Sequence, residues 1–147
     1  MTGIFRILRM KDRDLPHKAI TEIIIGTAYE VMNDIGSGFL ESVYENALLF
    51  SLREKGLEAK RQYPVKVMYK GQCLGDFYAD LFIEDKVIVE LKAVKTLLPE
   101  HSARVINYLK ATGIAVALLI NFGNAKLELK RFDLQDARKL EIGSIRP

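Results

Sequence analysis

One cysteine, Cys73, stands in a chain of 147 residues, so no disulfide framework and no cysteine-based zinc site can form within it. That scarcity fits a reducing, intracellular setting, and the expectation is a soluble, cytoplasmic protein. Long apolar runs are also lacking. Ile114 to Ile120 is strand-sized and far short of the ~18 residues that cross a bilayer, so no membrane association is expected. The first residues do not read as a secretory leader, because Arg6, Arg9, Lys11, Asp12, Arg13 and Asp14 interrupt any apolar stretch. Neither charge sign dominates: 22 Lys+Arg against 19 Asp+Glu leaves +3, compatible with a polyanionic partner but too weak to demonstrate one. Repeats, low-complexity tracts and Pro/Gly/Ser-rich linkers are absent, which argues for one unit.

The apolar fraction of 49% is enough for a core in a chain of this size, which buries about two-thirds of its unfolded surface. Residues 1–15 read as an N-terminal arm, 16–134 as the domain, and 135–147 as a polar tail with a frayed helix. Ile20, Ile23, Ile24, Thr27, Ala28, Val31, Met32 and Ile35 follow helical spacing, with Pro16 suited to the first turn and Gly36 to the end. Ser37 is placed to cap a second helix over Phe39 to Lys55, with Leu40, Val43, Ala47, Leu48 and Leu52 inward. Strands follow at Tyr63–Tyr69, Leu74–Ile83 and Lys86–Val94, the first two joined by a Lys70-Gly71 turn. A helix from Pro99 through Lys110, stopped by Gly113, precedes strands Ile114–Asn121 and Lys126–Phe132. The order ααβββαββ predicts an α/β (α+β) fold, a mixed central sheet flanked by helices.

Two charges look out of place. Val87-Ile-Val-Glu-Leu-Lys-Ala-Val94 has the flanks of a central strand, yet Glu90 and Lys92 lie within it and, two apart, share a face. An unpaired buried charge is costly, so the two pair with each other or with neighbours, line a solvated edge, or serve a site that needs them. Asp80 lies in the preceding apolar strand. A three-residue loop, Glu84 to Lys86, pairs Ile83 with Val87 and carries Asp80 alongside Glu90; a two-residue loop sends Asp80 to the other face. Two carboxylates and a lysine then converge. Hard oxygen donors favour Mg²⁺ or Mn²⁺ over zinc, and the Leu91 backbone carbonyl offers another oxygen. A lysine beside water at such an ion can orient it and offset charge on a phosphate, which suits phosphodiester hydrolysis.

Glu41, in Gly38-Phe-Leu-Glu-Ser-Val-Tyr44, is an ordinary first-turn helix acid taken alone, and Tyr44 reads as packing. On the third helix His101, Arg104 and Tyr108 follow spacings of three and four and share a face. Arg104 can grip phosphate, whereas His101 reads first as a capping or surface residue.

Gly38-x-x-Glu41-x-x-Tyr44, Asp80 and Glu90-Leu-Lys92, taken in order, resemble the GxxExxY protein family of the PD-(D/E)xK nuclease superfamily. Tyr69-Lys-Gly71, Val89-Glu-Leu-Lys-Ala93, Asn107-Tyr-Leu109 and Leu119-Ile-Asn-Phe-Gly123 extend the likeness from about Ile20 to Leu134. The resemblance implies a restriction-endonuclease-like fold and Mg²⁺-dependent cleavage of nucleic acid. It assigns Asp80 and Glu90 as metal ligands, Lys92 to the attacking water and Glu41 as the completing helical acid. Many enzymes of this fold cut duplexes as dimers, so a homodimer is an expectation attached to it. One position departs: related exonuclease-like members carry glutamine four residues before the tyrosine, and here that place is Arg104, with Tyr108 kept. Arginine brings a permanent charge and no acceptor, so it strengthens phosphate binding or competes with the metal for the acids.

The leading expectation is therefore a metal-dependent nuclease acting on DNA, with Lys60, Arg61, Lys66, Lys70, Arg104 and Lys110 available to its backbone. The competing one is a nuclease-like module that binds nucleic acid or a protein with weak or absent catalysis.

Overall fold

The computed structural model describes residues 15–138; the expected arm, apart from Leu15, and the tail beyond 138 lie outside the described residues. Helix α1, Lys18–Ile35, buries Ile24, Ala28, Val31 and Met32 together with Thr21 and Thr27. Both threonine hydroxyls donate to carbonyls one turn back, which lets them sit on a buried face. Ile23 and Ile35, expected inside, are instead exposed. Ile23 is turned about 100° from Ile24, and Ile35 closes the helix, where the chain leaves through left-handed Gly36.

Helix α2, Glu41–Glu54, presents Tyr44, Glu45, Leu48, Leu49 and Leu52 to the core. That stripe leaves Leu40 and Val43 outside, contrary to the sequence reading. Nor does Ser37 cap it: the N-cap is extended Leu40, without a side-chain bond. The entering loop is fixed by Tyr44 instead. Its buried hydroxyl donates to the Gly36 carbonyl (2.6 Å) and accepts the Phe39 N–H (3.2 Å), while its ring stacks on Phe122 at 4.6 Å.

Strands β1 (Ala59–Tyr69), β2 (Gln72–Ile83), β3 (Val87–Lys92), β4 (Val116–Asn121) and β5 (Glu128–Asp133) form one sheet in sequential order. Neighbours are antiparallel except β3 and β4, which run parallel and are connected through helix α3, Pro99–Thr112. The expected mixed sheet and the order ααβββαββ are thus observed. The first hairpin is longer than its alternation suggested, and β3 is shorter. Lys70 and Gly71 both take positive φ, as a tight two-residue turn requires.

Helices α1 and α2 pack on one face of the sheet over Leu81, Ile83, Val89, Leu91, Leu118 and Ile120. Helix α3 packs on the other over Val65, Phe82, Ile88, Ala117 and Leu119. Residues 134–138 are helical, and Leu134 and Ala137 are buried. Among the described residues no helix is long and apolar enough to cross a membrane.

Candidate active site

The β2–β3 connection has the odd length the sequence argument required. Ile83 pairs with Val87 and Leu81 with Val89, which carries Asp80 up to Glu90. Beyond Leu81 the ladder stops and the carboxylates replace it. Glu90 Oε1 accepts the Asp80 N–H at 2.9 Å, and Asp80 Oδ2 accepts the Leu91 N–H at 2.8 Å. Each acid thus spends one oxygen on the other strand's backbone. No buried side-chain polar atom among the described residues lacks a partner, so neither second oxygen is sealed away unsatisfied.

The sheet itself is broken at this point. Ala79 and Phe82, three residues apart, pack on the same face, and Ala59 and Tyr63, four apart, pack on opposite faces. A regular strand allows neither. Alternation slips between them, where Gln62 takes left-handed φ 54° and the ladder, its register unchanged, lacks a Gln62–Asp80 pair between Arg61↔Leu81 and Tyr63↔Ala79. Asp80 lies across from that kink. A non-glycine residue held at positive φ stores local strain of ~1–3 kcal/mol, and such residues gather at functional sites.

Burial raises the acids' pKa values. Glu90, almost wholly enclosed, is pushed up to about 8, first by desolvation and then by the Asp80 charge. Asp80 is pushed up to about 6, again by desolvation first, against the favourable Leu91 N–H bond and with Glu41 and Glu45 adding repulsion. Glu41 is also raised, by burial, while Lys92 and His101 oppose the shift. Lys92 is thus the cation shared by all three acids. No direct ion pair joins it to Glu90 among the described residues, so the two strand charges are not simply paired with each other.

The auxiliary residues divide. Arg104 and Tyr108 on α3 face the acid pair: Arg104 stabilises the Glu90 carboxylate, and burial, then Glu90, pushes the Tyr108 phenol up. His101 closes its own helix end, its Nδ1 accepting the Leu98 N–H at 3.0 Å. Tyr44 is fully buried as the loop anchor and lines no cleft, which removes it from the candidate binding set.

Three residues escaped the sequence reading. Glu45, one turn after Glu41, is buried and accepts Arg61 Nη2 at 2.7 Å and Gln62 Nε2 at 3.1 Å, tying α2 to the kink in β1. Asn121, fully buried at the end of β4, works as a surrogate strand: its amide accepts the Val94 N–H (3.0 Å) and donates to the Val94 carbonyl (2.8 Å). With the Phe122 N–H on the Lys92 carbonyl (2.8 Å), it fixes the end of β3 behind the lysine. Gly123 lies so close to Val94 that a Cβ would meet its backbone. Only an acid at the right turn of α2, and an Asn-x-Gly after a buried strand, hinted at these roles.

The Asp80 and Glu90 donors are all oxygen, a set that suits a hard divalent cation such as Mg²⁺ or Mn²⁺. Among the described residues no three acidic or other ligating side chains are grouped closely enough to hold an ion. Glu41 stands in electrostatic reach of Asp80 without joining that pair.

Comparison with known proteins gives these elements a lineage. No curated protein matches the chain. Among solved structures, the alkaline exonuclease LHK-Exo from Laribacter hongkongensis superposes with a TM-score of 0.50 at 11% identity, over 92% of this chain and 80% of that one. SSO0001 gives 0.47 at 14% identity over 71% of this chain, which spans 57% of SSO0001. The five-stranded mixed sheet between helices, with an acid pair where its second and third strands part, has the restriction-endonuclease-like architecture. A family model describing the PD-(D/E)XK nuclease superfamily matches residues 18–132, from the start of α1 into β5, and the chain belongs to that superfamily.

Proposed function

We propose that the protein is a metal-dependent nuclease of the GxxExxY type that hydrolyses phosphodiester bonds in nucleic acid, with DNA as the substrate to try first. The observation that carries this is the reciprocal bonding of Asp80 and Glu90 at the end of the β2–β3 ladder, which holds the two carboxylates side by side and leaves one oxygen of each without a backbone partner. Superfamily membership supports it, since enzymes of that superfamily generally use divalent ions.

Asp80, Glu90 and the Leu91 carbonyl would hold Mg²⁺ or Mn²⁺, with Glu41 completing the set. When bound, such an ion polarises a phosphoryl oxygen and makes nearby water easier to deprotonate. Lys92, in electrostatic reach of three acids, orients that water and compensates charge growing on the phosphate. Arg104 clamps a phosphate oxygen, and Tyr108 bounds the cleft on the α3 side.

The test is cleavage of plasmid and oligonucleotide DNA with Mg²⁺ or Mn²⁺. Lys92→Ala and Glu90→Gln are each expected to lower the rate about 10²-fold or more, and EDTA to stop it. Residual cleavage equal in the wild type and Lys92→Ala would mean a contaminant and end the proposal. A second reading, a nuclease-like binding module, is favoured by the absence of three converging ligands among the described residues and by Arg104 beside Glu90. It predicts salt-sensitive DNA binding that neither EDTA nor the Lys92 substitution changes.

A further inference from the structure

Next to the acid pair, between the β1–β2 hairpin and α3, lies a groove of about 500 Å³ that the hydrolytic chemistry leaves unexplained. Val67, Phe77 and Ala111 give it apolar walls, and Arg104, Asn107 and Tyr108 line its α3 side. The Phe77 and Tyr108 rings stand 6.3 Å apart, tilted by 39°. Phe77 keeps much of its ring exposed at 42%, although it is large, aromatic and on a strand. Gly75 makes room for it: a Cβ there would come within 2.9 Å of the Phe77 ring edge. The ring is therefore laid over bare backbone with one face open to the groove.

The volume of about 500 Å³ falls in the range of about 300–1,000 Å³ typical of small-ligand sites, which admits one nucleotide. The chemistry of the lining matches that occupant. An open aromatic face stacks a base, the Asn107 amide offers both a donor and an acceptor to a base edge, and the Arg104 guanidinium meets a phosphate. Arg104 and Tyr108 belong to the groove and to the acid pair alike, so a base seated on Phe77 leaves its phosphate pointing toward Asp80 and Glu90.

We propose that this groove seats one unpaired nucleobase on Phe77, beside the phosphate held by Arg104, and that the substrate is therefore single-stranded nucleic acid or a frayed end. A base inside an intact duplex is stacked and paired on both sides and cannot enter. The inference rests on the nuclease reading for its site but concerns what the site selects.

Binding and cleavage are tested separately on the full chain. With EDTA present, a single-stranded oligodeoxynucleotide carrying 2-aminopurine loses emission on binding, as stacking on Phe77 requires. Phe77→Ala abolishes the quench and weakens single-strand binding roughly tenfold to hundredfold, the equivalent of one lost stacking contact. Phe77→Tyr keeps the ring and restores both, and circular dichroism confirms that each variant is folded. In Mg²⁺ or Mn²⁺, a single strand is cut in preference to the interior of a duplex of the same sequence. Unchanged quench and affinity in folded Phe77→Ala would overturn the groove assignment while leaving cleavage, and its dependence on Lys92, intact. Equal cutting of the duplex interior and the single strand would overturn it too. Phe77-dependent binding with no cleavage under any divalent ion would uphold the groove and remove the nuclease reading.

Discussion

Glu45 shows how a charge can be structural and still belong to the site. It is buried, and two donors from β1 satisfy it, Arg61 and Gln62, so the kink opposite Asp80 and the helix that carries Glu41 are held by one carboxylate. Removing one partner of a buried hydrogen-bonded group costs about 1–3 kcal/mol, whereas a half-exposed arginine released from it returns to water at little cost. Arg61→Ala, which leaves the buried Glu45 carboxylate short of a donor, is therefore expected to lower unfolding stability by about 1–3 kcal/mol in urea titrations. Glu45→Ala should cost less, and the double variant no more than Arg61→Ala alone. Strict additivity in that cycle would mean the two do not act together. Tyr44→Phe, which removes the bridge between Gly36 and Phe39, should cost about 1 kcal/mol. These roles were hidden in the sequence for a common reason. A glutamate in a helix looks solvated unless its partners, 16 and 17 positions away in Glu45's case, are known to reach it. The candidate core of α2 was misjudged likewise, because Leu40 and Val43 have helical spacing but only the tertiary neighbour decides which arc is inside.

At the scale of elements the sequence was far more legible. Alternation located β1 and β5, a continuous apolar run located β4, and an odd β2–β3 loop was the condition for Asp80 to meet Glu90, a condition the observed pairing meets. Alternation failed where the chain breaks its own rule: nothing in Arg61-Gln62-Tyr63 announces a left-handed residue, and the slip it creates frees the Asp80 N–H to bind Glu90. The end of β3 is another local exception. Val94 is bound to Asn121 as though to a fifth ladder partner, and Gly123 passes directly against it. A side chain at Gly123 would have to push Val94 away, and with it the strand end that carries Lys92. Gly123→Ala is expected to destabilise the fold by about 1–3 kcal/mol through overpacking against backbone that cannot yield. Thermal or urea unfolding measures this directly. An unchanged midpoint would mean that the β3 exit is free to move.

Across the whole molecule, the acid pair couples folding to proton and cation concentration. In the ion-free protein Glu90 and Asp80 bind protons more tightly than in the unfolded chain, with pKa values of about 8 and about 6 against 4.5 and 3.8. The folded state therefore holds more protons between those limits, and stability falls as pH rises through that window. Its contribution is complete below the unfolded values and lost once pH passes the folded pKa of Glu90. On the proposed function a divalent ion would reverse the sign, because it would bind the deprotonated acids with an apparent affinity that grows with pH. In EDTA the melting temperature should thus decline from about pH 5 to about pH 8.5. Mn²⁺ at about 100 times its Kd should add about 2.7 kcal/mol at the alkaline end and much less at the acid end. Glu90→Gln, neutral at every pH, should flatten the EDTA slope and shrink the Mn²⁺ increment together. Were the slope to survive that substitution, the coupling would have to reside in other acids, and the pair at the end of the β2–β3 ladder would lose its claim to be where the ion binds.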